Sequence, residues 1–199
     1  MPNTSLARRT FSLGLIATAA GVLMACSPKN DAPAPAQSAP LTPSQMVDKI
    51  AAEGKGFTVG AMMSANTVYV LFDPQCPHCG HLWEAAKPLL GKVKFVWIPV
   101  SIINTKSGAQ GAALLASSNP LEAMTAHEAS ILAGTGGMTA MGSVPVEVEA
   151  AVKGNTTLFN SLGLESVPFI VSKNASGVAQ ANAGSMETPA LAAWLGLAN

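Results

Sequence analysis

Cys76 and Cys79, two cysteines separated by two residues, are the side chains of this sequence best suited to chemistry. Residues 67–72, just before them, form a nearly continuous apolar run that predicts a strand, and residues 82–87 predict a helix. The first cysteine of the pair should therefore lie at a helix N-terminus, where unpaired backbone N–H groups stabilise negative charge. This position can lower the pKa of a cysteine from about 8.5 to roughly 3.5–7. We expect Cys76 to be a thiolate and the pair to be redox-active.

Other uses of the motif are less consistent with the sequence. A zinc site needs a second ligand pair at a distance, and there is no other C-x-x-C pair. Covalent haem attachment needs a histidine directly after the second cysteine, where this chain has Gly80. An inert structural disulfide would close too small a loop to constrain the unfolded chain much. Thiol redox chemistry is favoured, zinc is the main alternative, and we predict no metal and no cofactor.

Pro77 and His78, the two residues inside the pair, are predicted to tune the thiolate. An imidazole at position 78 can donate a hydrogen bond to the sulfur or place positive charge near it. The more stable the thiolate, the more readily the disulfide accepts electrons. The alternative is that His78 is a solvent-facing turn residue.

The N-terminus predicts export. Arg8 and Arg9 precede an apolar stretch that is too short to span a bilayer, so residues 1–25 are predicted to be an export signal. The stretch ends Leu-Met-Ala-Cys, which resembles the lipobox of bacterial lipoproteins, so Cys26 is the predicted lipidation site. The arginine pair partly resembles a twin-arginine signal, and the Sec route remains open. We expect a periplasmic protein that is anchored to a membrane by lipid, or soluble if Cys26 is not lipidated.

The numbers of cysteines and charged residues limit the classes of function that fit this chain. If Cys26 carries lipid, Cys76 and Cys79 are the only thiols left, so both are available for chemistry. The chain has 11 basic and 11 acidic residues, and its only arginines lie in the predicted signal. We therefore expect no nucleic-acid partner.

The remainder divides into a tether and a domain. Residues 26–43 are rich in proline and alanine and are predicted to be an extended tether, whereas residues 44–199 are predicted to form one α/β domain. Besides the strand and helix around the cysteines, the pattern predicts, in chain order, a helix over 44–53, strands over 57–61 and 93–100, helices over 109–117, 120–133 and 156–162, a hairpin of 169–172 and 178–183, and a helix over 188–197.

Several segments carry a family resemblance. Residues 72–83, FDPQCPHCGHLW, and residues 112–120, AALLASSNP, resemble segments of the periplasmic DsbC/DsbG disulfide isomerase family. Residues 158–163 and the following Val167-Pro168 continue the likeness, which is closest to DsbG and runs from about residue 66 to the end.

The resemblance implies a thioredoxin fold with an inserted helical subdomain, here about residues 106–154. It also implies that Pro168 is a cis-proline facing the cysteine pair, and that Val167 pairs its backbone with a substrate peptide. Val70 stands where thioredoxin and the oxidase DsbA have a buried acid, so the group that takes the proton of Cys79 is not identified.

Two departures from the family affect the predicted function. Residues 44 to about 65 are too few for the N-terminal dimerisation domain of DsbC and DsbG, so we expect a monomer and do not carry over isomerase activity. The Pro77-His78 pair and Val167 resemble DsbA more than DsbG.

We predict a thiol–disulfide oxidoreductase that acts on cysteines of exported proteins and exchanges electrons with a membrane redox partner. Cys76 would form a mixed disulfide with the substrate, and Cys79 would resolve it. One alternative is a reductase of sulfenylated cysteines. Another is a non-enzymatic copper-binding assembly factor that uses the thiols with Met138 and Met141.

Overall fold

The computed structural model of the protein describes residues 40–139, 144–174 and 176–197. The predicted export signal 1–25, the predicted lipidation site Cys26 and all of the predicted tether before residue 40 lie outside the described residues, as does Met141. Within the described part of the chain, no helix combines the length and apolar character needed to cross a bilayer.

The described residues form an α/β domain. Its strands are β1 (Phe57–Gly60), β2 (Thr67–Phe72), β3 (Lys94–Pro99), β4 (Phe169–Lys173) and β5 (Ala179–Ala183). Its helices are α1 (Pro43–Glu53), α2 (Pro77–Ala86), α3 (Ser107–Leu115), α4 (Pro120–Leu132), α5 (Val146–Ser161) and α6 (Thr188–Trp194). A short 3₁₀ turn, Lys87–Leu89, follows α2, because Pro88 interrupts the helix.

The strands form one sheet in the order β1-β3-β2-β4-β5. β2 and β3 are parallel, and the other neighbours are antiparallel. The central strand β2 is covered on both faces, which explains its continuous apolar sequence. Helices α3, α4 and α5 lie between β3 and β4 in the chain, as expected for a thioredoxin fold with a helical insertion.

Aromatic side chains anchor α2 to the sheet. Trp83 of α2 packs edge-on against Trp97 of β3, with ring centroids 5.2 Å apart, and Trp97 packs similarly against Phe72 at the end of β2. All of these rings are buried. Such edge-to-face contacts contribute about 0.5–1.5 kcal/mol each beyond the burial of their area. The helix that carries the cysteines is therefore held rigidly at the carboxyl end of β2.

Several helix bounds differ from the predictions. Helix α3 is Ser107–Leu115 where the sequence predicted 109–117, and α6 ends at Trp194 where the sequence predicted 197. Helix α1 begins at Pro43, because the side chain of Thr42 caps it and forms a reciprocal capping box with Gln45. Helix α5 is continuous from Val146, where the sequence predicted a helix only from residue 156, so the predicted end of the insertion at 154 lies inside this helix. The glycine at position 154 weakens the helical pattern there.

Candidate redox site

Cys76 and Cys79 lie at the N-terminus of α2. Cys76 is the N-cap residue, and Pro77 occupies the first helical position, which suits its fixed φ and missing N–H. The backbone N–H of Cys79 donates to the carbonyl oxygen of Cys76 over 3.0 Å, so the two residues share one helical turn. Both thiols are free and buried. The structure thus places the pair where the sequence predicted it.

The surroundings of Cys76 favour its thiolate. Its pKa is lowered to about 6, and the largest cause is the hydrogen bond from the Cys79 thiol. Burial of Cys76, which is only 4% exposed, opposes this change, while hydrogen bonds from the backbone of Cys79 and His78 support it. The charge of His78 makes the smallest contribution. A pKa of about 6 favours the thiolate of Cys76 at neutral pH.

Cys79 has the opposite character. Burial raises its pKa well above the ordinary value, and the neighbouring Cys76 and the carboxyl group of Glu128 raise it further. At neutral pH the pair thus holds one thiolate and one thiol. This arrangement supplies a nucleophile and a second thiol that must lose its proton before it can react.

The tuning residues Pro77 and His78 are exposed at the start of α2. The ring of His78 lies 6.4 Å, centroid to centroid, from that of His81, which is also exposed. His78 favours the thiolate through its backbone N–H more than through its ring charge. That His78 tunes the thiolate stays a prediction.

The other predicted site residues lie beside Cys76. The Val167-Pro168 peptide bond is cis, and the carbonyl oxygen of Val167 lies 3.5 Å from the Cys76 sulfur. The sheet explains this proximity, because β4 begins just after Pro168 and pairs antiparallel with β2, with Phe169 opposite Leu71. The start of β4 and the end of β2 therefore meet at the redox helix.

Asp73, a buried residue of the loop before the cysteines, bonds to two loops. Its buried carboxylate accepts a hydrogen bond from the backbone N–H of Gln75 through one oxygen, at 2.8 Å. The other oxygen accepts from the N–H groups of Ile102 and Ile103, at 2.7 and 3.0 Å. Asp73 therefore ties the loop before the cysteines to the loop after β3.

His127 of α4 holds the same loop from the insertion side. Its Nε2 donates to the carbonyl oxygen of Pro74 at 2.7 Å, and its Nδ1 accepts from the backbone N–H of Met138 at 3.1 Å. Because Met138 N–H can only donate, the ring is the neutral Nε2–H tautomer. Burial lowers the pKa of His127, which favours this neutral form.

Glu128, the next residue of α4, is a site residue that the sequence analysis missed. Its side chain is fully buried, and neither carboxylate oxygen has a hydrogen-bond partner in the described structure. Burial raises its pKa to about 9, and the charges of Cys76, Asp73 and Glu84 add to the effect. The site thus contains a buried, protonated carboxyl group near the thiols.

The spacing of residues in α4 indicates that His127 and Glu128 face the protein interior. The buried positions of α4 are Met124, His127, Glu128 and Ile131, which follow the spacing of one helical stripe. A histidine and a glutamate inside an apolar stripe indicate polar groups that face the protein interior. Among the described residues, no cluster of three or more His, Cys, Asp or Glu side chains is arranged to hold a metal ion.

Comparison with known proteins agrees with this geometry. No protein-family model matches the sequence. The chain is 37% identical over 139 residues to the thiol:disulfide interchange protein DsbG of Pseudomonas aeruginosa, an alignment covering 69% of this chain and 54% of the relative. It is 34% identical over 105 residues to DsbG of Escherichia coli, covering 52% and 42%. The chain thus spans about half the length of these relatives.

Solved structures share the architecture at low sequence identity. The catalytic domain of Proteus mirabilis ScsC superposes with a TM-score of 0.61 at 13% identity, covering 77% of this chain and 94% of that domain. The thiol-disulfide exchange protein α-DsbA2 of Wolbachia pipientis superposes with a TM-score of 0.56 at 16% identity, covering 77% and 96%. The described domain therefore has the thioredoxin-like fold, and its sequence is similar to the DsbG thiol:disulfide interchange proteins.

Proposed function

We propose that the protein is a thiol–disulfide oxidoreductase that acts on cysteines of exported proteins through Cys76 and Cys79. The observation that carries this proposal is the position of two free, buried cysteines on one helical turn, the first with a lowered and the second with a raised pKa, beside the Val167 carbonyl oxygen. An inert pair would not need thiols of such different acidity. The similarity to two thiol:disulfide interchange proteins supports the same reaction class.

The reaction would proceed in two exchange steps. The Cys76 thiolate attacks one sulfur of a substrate disulfide, and the other substrate sulfur leaves as a thiolate. Cys79 then loses its proton and attacks the Cys76 sulfur, which releases the second substrate sulfur. The substrate gains two electrons, and the Cys76–Cys79 disulfide forms. The reverse sequence oxidises a substrate dithiol.

Substrate would bind at the loop that faces Cys76. The half-buried Val167 and the buried Pro168 precede the first residue of β4, and the Val167 backbone already approaches the reactive sulfur. An extended peptide that pairs with the Val167 backbone would place its own cysteine against Cys76. This mode of binding uses main-chain groups, so it accepts many sequences.

We place the protein in the periplasm as a lipid-anchored monomer that exchanges electrons with a membrane redox partner. The export-like residues 1–25 and the lipobox at Cys26 support this location. One of the solved structures with the same fold is a periplasmic thioredoxin-like protein from Salmonella enterica, with a TM-score of 0.61 at 13% identity, covering 76% of this chain and 94% of that one.

Trapping tests the proposal directly. The Cys79→Ala variant, expressed with its own N-terminal segment, should accumulate mixed disulfides with exported proteins, because the resolving thiol is absent. These adducts should migrate as reducible bands that mass spectrometry identifies as joined through Cys76. A Cys76→Ser, Cys79→Ala double variant is the matched control and should capture nothing. Equal capture by both variants, or none by either, would refute the proposed reaction.

A further inference from the structure

The proposed reaction requires a group that accepts the proton of Cys79. Burial favours the protonated form of this thiol, yet the thiol must lose its proton to resolve a mixed disulfide. Val70 of β2, which stands where thioredoxin and DsbA have a buried acid, is a buried core residue. The acceptor must therefore come from another element that packs against α2.

Helix α4 packs against α2 and brings Glu128 to the cysteines. The Glu128 Oε2 atom lies 3.0 Å from the position that a Cβ would take on Gly80, the residue directly after Cys79. Because Gly80 has no side chain, the carboxyl group can approach the backbone of the redox turn closely. Glu128 is thus seated over the turn that carries Cys79.

The two buried acids near the thiols differ in their hydrogen bonds. Both carboxylate oxygens of Asp73 accept backbone N–H groups, so that side chain is committed to holding two loops. Neither oxygen of Glu128 has a partner in the described structure. An unpaired buried carboxyl group is costly, which makes a structural role for it hard to justify. Glu128 is the acid that is free to exchange a proton.

The groups that face Glu128 couple its protonation to the reaction. Acidic groups around it are the thiols Cys76 and Cys79 and the carboxylates Asp73 and Glu84. Helix α3 and strand β1, which also pack against α4, contain no charged residue. While Cys76 is a thiolate, its charge helps to keep Glu128 protonated. When Cys76 enters a mixed disulfide that charge disappears, and the Glu128 carboxylate forms more easily.

We propose that Glu128 accepts the proton of Cys79 during resolution of the mixed disulfide and returns it in the reverse reaction; this rests on the proposed function. As the Cys79 sulfur bonds to the Cys76 sulfur, its proton moves to a Glu128 oxygen. The bond from Cys76 to the substrate sulfur breaks, and the electron pair leaves on the substrate thiolate. The proton then passes from Glu128 to solvent.

Ellman's reagent separates the two steps in one experiment. Reduced protein mixed with the reagent should release a first coloured thiolate when Cys76 attacks and a second when Cys79 resolves the adduct. In Glu128→Gln the first phase should keep its rate, because Cys76 retains its hydrogen bonds. The second phase should slow by about 10²-fold at neutral pH, the scale of general base catalysis.

The pH profile distinguishes proton transfer from a merely structural effect. In the wild-type protein the rate of the second phase should rise with pH through an inflection below 9, as the Glu128 carboxylate forms. In Glu128→Gln this inflection should be lost, and the rate should rise only where Cys79 itself ionises. Glu128→Asp should recover part of the rate. Glu122→Gln, the same change at an exposed position of α4, should leave both phases unchanged.

Unchanged rates and an unchanged pH profile in Glu128→Gln would overturn the role of Glu128 and would leave the proposed function intact. An absent first phase in the wild-type protein would instead refute the proposed function. If circular dichroism shows that Glu128→Gln does not fold, the pH profile of the wild-type protein tests the inference instead. A second-phase rate without an inflection below pH 9 would then overturn the role of Glu128.

Discussion

The two cysteines have the same side chain and opposite acid–base behaviour. Cys76 receives a hydrogen bond from Cys79 and backbone N–H groups, which lower its pKa to about 6. Cys79 is more deeply buried and donates that hydrogen bond, so its pKa is raised. The sequence predicts the direction of the first pKa change from the position of Cys76 at a helix start, but not its largest cause, the hydrogen bond from Cys79. It does not predict the second, because depth of burial depends on the packing of the whole domain.

The hydrogen bond between the thiols can be tested by changing the donor. Cys79→Ala should raise the pKa of Cys76 from about 6 toward its ordinary value, because the largest stabilising contact is lost. Cys79→Ser keeps a donor, so its Cys76 pKa should stay closer to that of the wild-type protein. The rate of iodoacetamide alkylation as a function of pH measures these values. Identical pKa values in the alanine and serine variants would contradict this assignment.

At the scale of elements, α2 and α4 together form the site. The apolar run of β2 and the proline at the start of α2 allowed these elements to be predicted from the sequence. The contribution of α4 could not be predicted, because it depends on the packing of two helices far apart in the chain, which brings His127 to the Pro74 carbonyl and Glu128 to the turn after Cys79. Helical spacing indicates that they face inward, but not which surface they meet.

The contacts of His127 predict a defined loss of stability. His127→Leu should destabilise the fold by about 1–3 kcal/mol for each group left unpaired, here the Pro74 carbonyl and the Met138 N–H. His127→Gln retains one donor and one acceptor, so its loss should be smaller. Urea unfolding at neutral pH measures both variants. A leucine variant as stable as the wild-type protein would show that these hydrogen bonds contribute nothing net.

The same histidine gives stability a pH dependence. Because burial lowers the pKa of His127 in the folded state, the unfolded chain takes up a proton first as the pH falls below about 6.5. The wild-type protein should therefore lose stability below that pH, and His127→Gln should lose less. The stability difference between the two proteins should be constant above it. Urea unfolding at several pH values checks both parts.

At the scale of the whole molecule, α5 connects the insertion to the sheet. Asn155 of α5 is 1% exposed and makes a two-way contact with the backbone of Lys55, donating to its carbonyl at 2.7 Å and accepting from its N–H at 2.8 Å. It also donates to the carbonyl of Pro99 at the end of β3, at 2.9 Å. This single side chain thus joins the loop before β1, the end of β3 and α5.

Replacing this side chain should weaken the entire domain. Asn155→Ala leaves the part-buried N–H and carbonyl of Lys55 and the buried carbonyl of Pro99 without their partner, and we expect a loss of about 2–4 kcal/mol. That loss should lower the melting temperature by roughly 5–15 °C. Asn160→Ala, at an exposed position of the same helix, should change the melting temperature little. Equal melting temperatures for the two variants would show that the contact is not stabilising.

The depth of the Cys76 sulfur restricts which bonds it can reach. Little of the Cys76 surface is open, and the Val167 carbonyl lies against the sulfur, so a partner can contact it only over a small area. A disulfide buried inside a rigid, folded substrate cannot reach the Cys76 sulfur, whereas a disulfide on a flexible or incompletely folded chain can. The proposed exchange would therefore favour disulfides on flexible substrates over disulfides buried inside folded ones, whatever their sequence.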